Sequence, residues 1–224
     1  EALLQYVKSS LEIEGMALSR IHRAAKDTIF EVSITGPSSI MRSRVIPNLL
    51  PFKKKFPLMR FRFDLSDAHN GVEKLKTGLA DFAILEHHQV TREMDSKILK
   101  PERYHLYGPT AWKKRSLNEI FTSETLLDYN ESDMMTFNYL EKYKSKNKIK
   151  KERHYANNID AIAFLVVGEI GFSVLSEELA RPFLKKNELC ELASGQYFDH
   201  KLALAWYPRS EKPEYFAALI KAIS

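Results

Sequence analysis

An α/β fold in two cross-connected lobes, with a helix ahead of them, is what this sequence predicts, and three observations carry that expectation. From Thr28 to Glu86 the apolar pattern switches between a period of two and a helical period in the order β-α-β-α-β, the signature of a parallel sheet with helices on its faces. The segments TGLADFAIL (77–85) and VGEIGFSVL (167–175) share one grammar: Gly, two residues, a small or turn-forming residue, Phe, a small residue, then Ile or Val and Leu. Upstream of each, apolar residues fall at helical spacing, Val72, Leu75 and Leu79 before the first and Ile159, Ile162, Ala163 and Val166 before the second. A helix–Gly–strand unit therefore occurs twice.

Residues 1–26 read as one long helix. Leu4, Val7, Leu11, Leu18 and Ile21 follow alternating spacings of three and four, with Glu14 interrupting the seam and Gly15 lowering helicity. So narrow a stripe fits a coiled-coil remnant or a helix packed on its own domain. TIFEVSIT (28–35) alternates and is β-branched, hence a strand. Gly36-Pro37-Ser38-Ser39 breaks it and supplies N-cap residues for the helix SIMRSRVIPNLLPFKKKF, which Pro47 and Pro51 kink or end in stages. LMRFRFDLS follows as a strand with Leu58, Arg60 and Arg62 on one face and Met59, Phe61 and Phe63 on the other; then come the helix NGVEKLKTGL and the buried strand DFAILE. Residues 98–110 are extended. SLNEIFTSETLLDYNESD gives a helix, a short strand and a polar loop, MMTFNYLEKYKSKNK a helix, and IKKERHYANN a short strand. After the second repeat a helix starts at Ser176, with Pro182 ending or kinking it; LCELASGQYFDHKLALAWYPRS supplies strands, and EYFAALIKAI closes the chain with a Phe216/Leu219/Ile220 face.

Composition narrows the function classes. A chain of 224 residues with 44% hydrophobic and 28% charged residues is an ordinary globular protein of one or two domains. No apolar run reaches membrane-spanning length and EALLQYVKSSLEIEG lacks a signal-peptide pattern, so no membrane is expected. The single cysteine, Cys190, excludes an internal disulfide and points to a reducing, cytoplasmic compartment. A first residue of Glu rather than Met suggests a piece of something longer, and a net charge of +5 is too small alone to argue for nucleic acid.

Catalytic signatures are missing. Gly168 and Gly171 stand between a helix and a strand, the reverse of a dinucleotide fingerprint, and Phe172 follows where a phosphate loop needs Lys-Ser/Thr; they read as a helix C-cap and the start of a strand. There is no G-x-S-x-G elbow and no H-E-x-x-H helix. Glu188 and Glu191 beside Cys190 would raise its pKa rather than activate it. His87-His88 could bind metal, but on an extended segment they point oppositely and fit a surface pair better; EKYKSKNKIKKER (141–153) could touch phosphates, but with few interleaved apolar residues it fits a solvated helix face better. No catalytic residue, cofactor or metal is expected. What remains is polar loops after predicted strands, where ligands of open α/β sheets bind: TGPSS (35–39), SDAHN (66–70), NESD (130–133) and ANN (156–158). Each could be no more than a helix cap; together, two from each lobe, they make a ligand cleft. The residues expected in it are Thr35, Ser38, Ser39, Ser66, Asp67, Asn130, Glu131, Ser132, Asn157 and Asn158, with the helix opened by Ser38 and Ser39 suited to an anionic ligand group.

From Thr28 to Ser224 the sequence resembles the effector-binding domain of LysR-type transcriptional regulators, a relative of type 2 periplasmic binding proteins. The resemblance rests on strand–Ser38-Ser39–helix leading to Pro47 and PFKKKFP (51–57), VEKLKTGLADFAIL (72–85), NNIDAIAFLVVGEIGFSVLSEEL (157–179) and LALAWYPRS…YFAALIKAI, in that order and spacing. Ser176 replaces the family's usual proline after the second strand. The resemblance implies two Rossmann-like lobes joined by crossover strands: a linker-helix end over 1–27, lobe I over 28–103 and 203–224, and lobe II over 104–202. It also implies a small-molecule effector between the lobes, a homodimer through the helices after Ser39 and Ser176, a homotetramer at full length, and operator DNA bound through a helix-turn-helix absent from this chain. LDYNESDMMTFNYL is similar to arginine- and lysine-responsive members, which implies a cationic amino acid. A periplasmic solute-binding protein of a transporter is the competing reading, which Cys190 and the heptad-like N-terminus oppose; a porphobilinogen deaminase-like enzyme comes third.

Overall fold

The protein is described here by a computed structural model covering residues 6–7, 10, 29–65, 70–145, 148–209 and 213–224. The helix expected over 1–26 falls outside the described residues apart from positions 6, 7 and 10, and so do Ser66 and Asp67 of the expected ligand loops. The chain divides into two compact units, Glu1–Lys100 with Lys201–Ser224, and Pro101–His200.

The first unit is built on a five-stranded sheet. Strands β1 (Phe30–Gly36), β2 (Met59–Leu65), β3 (Phe82–Glu86) and β4 (Asp95–Ile98), with β11 (Leu202–Trp206), lie in the order β2-β1-β3-β11-β4. The register Gly36↔Leu65 ends β1 and β2 at the same level. β1 is parallel to β2 and β3, while β11 runs antiparallel to β3 and β4. The central strands are buried on both faces, and Val32, Ile34, Phe82, Ile84 and Leu204 pack against Ile40, Met41 and Val45 and against Phe216 and Leu219 of the closing helix Glu214–Ile223. On the edge strand β2 the expected alternation holds, with Met59 buried, Phe61 and Phe63 half-buried, and Arg60 and Arg62 exposed.

Helix α1 is a run of three pieces: Ser38–Ile40, a π-helical Met41–Val45, and Ile46–Leu49. Proline explains the π turn. Pro47 has no N–H to give the carbonyl of Ser43, and an ideal helix would drive its ring into that oxygen. The chain widens instead, so that the Ile46 N–H reaches back five residues to Met41 O. Pro47 therefore distorts the helix ahead of itself rather than ending it, and a separate turn α2 (Phe52–Lys55) follows Pro51. The cap also departs from expectation: Pro37, not a serine, holds the N-cap position, and Ser38 is the first helical residue. Gly36 is glycine because a Cβ there would lie 2.8 Å from Ile84 Cβ, so only glycine lets β1 turn into α1 against β3. A short helix α3 (Gly71–Lys76) leads to β3.

In the second unit β5 (Glu102–Pro109) is central, antiparallel to β8 (Ser173–Ser176) and β10 (Phe198–His200) on its two sides and to β9 (Leu189–Glu191) farther along. Strands β6 (Leu126–Asp128) and β7 (Arg153–Tyr155) pair in parallel, and a parallel bridge Leu126↔Phe172 ties β6 to β8. Helices α4 (Leu117–Ser123), α5 (Met135–Lys142), α6 (Ile159–Val167) and α7 (Glu177–Lys185) pack on this framework over two buried clusters, one around Phe121, Tyr139, Leu140 and Phe172, the other around Leu127, Ile162, Val166 and Leu175. Ser176 caps α7 through Leu179 N, which gives the serine standing in place of proline a structural role, and the helix continues through Pro182. α5 ends at Lys142, and the described residues of the basic run after it do not continue the α-helix.

The two repeats end their helices alike but not at the residues their alignment pairs. The left-handed residue of the first is Gly78, at φ 71°; that of the second is Glu169, at φ 62°, one place after Gly168. Glu169 N–H bonds to Val166 O and Ile170 N–H to Leu165 O, the paired contacts of a Schellman motif centred on a residue ill suited to it. Gly171 serves another purpose: a Cβ there would stand 2.2 Å from the Thr125 carbonyl oxygen.

Two predictions follow from these local devices. Glu169 is exposed and left-handed, a conformation costing a non-glycine residue about 1 kcal/mol, so Glu169→Gly should stabilise the domain by about 0.5–1 kcal/mol in urea unfolding. Where β5 and β10 pair, Arg103 Nε and Nη2 hold the two carboxylate oxygens of Asp199 at 2.9 and 3.2 Å, and this bond places the Asp199 pKa below its ordinary value. A depressed carboxyl contributes stability above its unfolded pKa of about 4 that is lost as pH falls through the folded value. Asp199→Asn should therefore flatten the stability-versus-pH curve below about pH 4 and leave its shape at neutral pH unchanged.

Candidate functional site

Each unit gathers strand ends at one edge of its sheet, where open α/β sheets bind ligands. In the first unit β1 ends at Thr35 and Gly36, β2 at Leu65 and β3 at Glu86. Thr35 is buried, while Ser38 and Ser39 are half-buried in the first turn of α1. An α-helix leaves its first N–H groups without intrahelical partners, so this turn directs amide hydrogens and the positive end of the helix dipole past the end of the sheet. Gly71, at the start of α3, closes the same edge, since a Cβ on it would strike Leu85 Cδ2 at 2.6 Å. Sequence reasoning missed the third strand end. There Glu86 and Gln89 form a reciprocal cap around His87–Gln89, and His88 Nδ1 lies 3.3 Å from Glu86 Oε2. The acid at the end of DFAILE with Gln three residues on was the legible signal.

The second unit collects the ends of β6, β7 and β8. Asp128, at the end of β6, is 2% exposed, yet both its carboxylate oxygens are served. Thr136 Oγ1 on α5 donates to Oδ1 at 2.6 Å, and Arg153 Nη1 at the start of β7 donates to Oδ2 at 2.8 Å. Phe137 and Tyr155 flank the Arg153 guanidinium, 4.7 and 5.3 Å from their ring centres. Ala156 N–H bonds to Asp128 O at 3.0 Å, which brings the 156–158 loop beside the 129–134 loop.

The predicted loop residues of this unit divide by what already occupies them. Asn130 Oδ1 accepts from the Ser132 N–H and hydroxyl at 2.9 and 2.8 Å, an Asx turn that shapes its own loop. Asn158 Oδ1 caps α6, accepting from Asp160 N and Ala161 N at 2.9 Å each. Glu131, Ser132 and Asn157 are exposed. Among the described residues no group of three His, Cys, Asp or Glu could hold a metal ion, and no helix is long and apolar enough to cross a membrane. His87 and His88 are an exposed pair, as expected. Cys190 is buried with its thiol toward Pro109 O; its pKa is raised by burial, with Lys113 opposing, so the direction expected from its glutamate neighbours is right and the cause is different.

A family model described as the LysR substrate binding domain matches residues 30–224. The chain belongs to that family. It is the effector-sensing regulatory domain of a LysR-type transcriptional regulator, and such domains are not catalytic. Neither the solute-binding nor the deaminase reading survives that assignment. Among solved structures it is similar to the C-terminal domains of a LysR family protein from Agrobacterium tumefaciens, at a TM-score of 0.72 and 16% identity over 86% of this chain and 94% of that one. It is also similar to ArgP from Mycobacterium tuberculosis, at 0.75 and 16% over 99% and 74%, and to full-length LysG from Corynebacterium glutamicum with bound effector Arg, at 0.70 and 12% over 99% and 75%. These likenesses establish the two-lobed α/β fold. No curated protein matches the sequence.

The buried Asp128 pair yields a direct test. Removing one partner of a buried ion pair costs about 3–5 kcal/mol because the other charge is stranded. Arg153→Ala should destabilise the LysR domain by about that amount in urea unfolding, and adding Asp128→Ala should recover part of the loss rather than add to it.

Proposed function

We propose that this domain reports the level of a small polar metabolite held by the strand-end loops of both units, with a carboxylate of that metabolite on the first turn of α1. The observation that supports this most is the turn at Thr35–Ser39. Gly36 lets α1 start flush against β3, so hydroxyls and helix-end amides together face the end of the sheet. Ser66 and Asp67 join them in this reading, and Glu131, Asn157 and the Nδ2 donors of Asn130 and Asn158 contribute from the second unit. LysG carries Arg as its effector, and an amino acid would place its carboxylate on the α1 amides. The finer identity of its cationic end rests on the likeness of LDYNESDMMTFNYL alone.

Effector occupancy then shifts the population between two arrangements of the regulator, which acts in the cytoplasm on operator DNA through a helix-turn-helix outside this chain. Homodimers form through α1 and α7, and tetramers form at full length. A symmetric pairing of this kind is isologous.

Thermal-shift screening of the purified chain against amino acids and small carboxylates is the decisive experiment. A ligand at a hundred times its dissociation constant adds about 2.7 kcal/mol, a shift of several degrees. Ser39→Trp, and Asn157→Trp on the exposed loop of the second unit, should each abolish the shift while keeping the parent melting temperature within about 2 °C. A metabolite that stabilises the parent and both variants equally would place the effector elsewhere.

A further inference from the structure

The net charge of +5 is not spread over the chain. Between Lys142 and His154 stand six lysines and one arginine against one glutamate, an excess of six, so all the other residues together sum to one negative charge. Such segregation is the electrostatic footprint of a polyanion contact when the cations are presented outward and not neutralised from within.

The structure meets both conditions. Past the end of α5 the segment is pinned from inside. The Tyr143 hydroxyl donates to Tyr197 O at 2.9 Å and accepts from Tyr197 N at 2.8 Å. Ser145 is buried, with its N–H on Leu140 O, and half-buried Ile149 packs on the core around Tyr139 and Leu140. Because these anchors point inward, Lys144, Lys148 and Lys151 stand exposed. Lys142 and Lys150 are held in place by the backbone carbonyls of Tyr197 and Ser123, and Lys142 also acts electrostatically on the Asp199 carboxylate, so neither is the main free charge. Among the described residues only Arg153 of this segment is paired with a carboxylate, that of Asp128. The strand that ends the segment, β7, is the outer member of the β6–β7 pair and carries exposed His154 and Tyr155.

We infer that the exposed Lys144, Lys148 and Lys151 form a contact surface for the phosphate backbone of nucleic acid, independent of base sequence and of the effector loops. Lysine is the reason for choosing phosphate over an acidic protein. The available cations are mobile point charges that suit the dense, regular row of phosphates on a duplex, and the one guanidinium fork of the segment, which would hold carboxylate or phosphate alike, is already used inside. A membrane surface is disfavoured because the described part of the segment exposes no apolar side chain and only Tyr155 stands exposed just beyond it. In the full regulator this surface would add salt-sensitive affinity without changing which operator is chosen.

The test uses this chain and a short DNA duplex of arbitrary sequence, followed by fluorescence anisotropy between about 50 and 200 mM salt. Binding should weaken with salt with a logarithmic slope of about −3, one unit for each phosphate neutralised. The triple variant Lys144→Gln/Lys148→Gln/Lys151→Gln should lower affinity at least tenfold at the low-salt end and bring the slope to about zero. Lys76→Gln/Lys97→Gln/Lys113→Gln, which removes the same charge from exposed positions elsewhere, should change neither. Absence of duplex binding at low salt, or equal loss in both triple variants at an unchanged melting temperature, would overturn the assignment. Polyglutamate bound as tightly as the duplex would overturn it too, in favour of an acidic protein partner.

Discussion

A carboxylate buried to 2% exposure organises the second unit. Taken out of water, Asp128 must find partners for both oxygens or lose several kcal/mol, and the partners it finds belong to two different elements: Thr136 on α5 and Arg153 on β7. Strands β6 and β7 are three residues long, too short for their ladder alone to hold them. The ion pair supplies the missing hold, from Arg153 at the start of β7 to Asp128 at the end of β6, while Ala156 N–H completes the contact on the Asp128 carbonyl. The 129–134 and 156–158 loops are adjacent because of that arrangement, and so is the placement of any ligand group they hold.

The first unit reaches a comparable layout with less polar help, because its strands are longer and its sheet is buried on both faces. Its corresponding polar joint is Asp81, at the approach to β3, which accepts the Ser33 N–H at 2.9 Å and pairs with Arg209 beyond β11. Asp81 and Gly171 occupy the same place in the two repeats, immediately before Phe82 and Phe172. They answer the same requirement by different chemistry. Each repeat must bring its incoming strand against a neighbouring backbone: Asp81 does it by giving that backbone an acceptor, Gly171 by clearing its own Cβ from Thr125 O.

Much of this was legible in the sequence, since periodicity reports burial and burial is what sheets and amphipathic helices share. The strands at 30–36, 59–65 and 82–86, the recurring helix–turn–strand unit and the Phe216 face of the closing helix all follow from it. Less legible were features decided by one backbone bond. The π turn ahead of Pro47 depends on which carbonyl the Ile46 N–H selects, and proline marks a disturbance without saying on which side it is absorbed. Gly168 is the helix C-cap as expected, yet the left-handed residue of the second repeat is the one after it, Glu169. The helix expected to run on through the lysines ends at Lys142, and nothing in the composition of the run shows that Tyr143 and Ser145 turn inward.

The candidate site shows the same limit from the side of function. Asn and Ser after a strand are favoured both for touching ligands and for building turns, and sequence cannot divide the two uses. In the second unit the structure shows that turns take the carbonyl oxygens of Asn130 and Asn158, so the acceptors these loops present come from exposed Glu131, Ser132 and Asn157 and from the backbone. Only the amide Nδ2 groups of the two asparagines keep their capacity for a ligand.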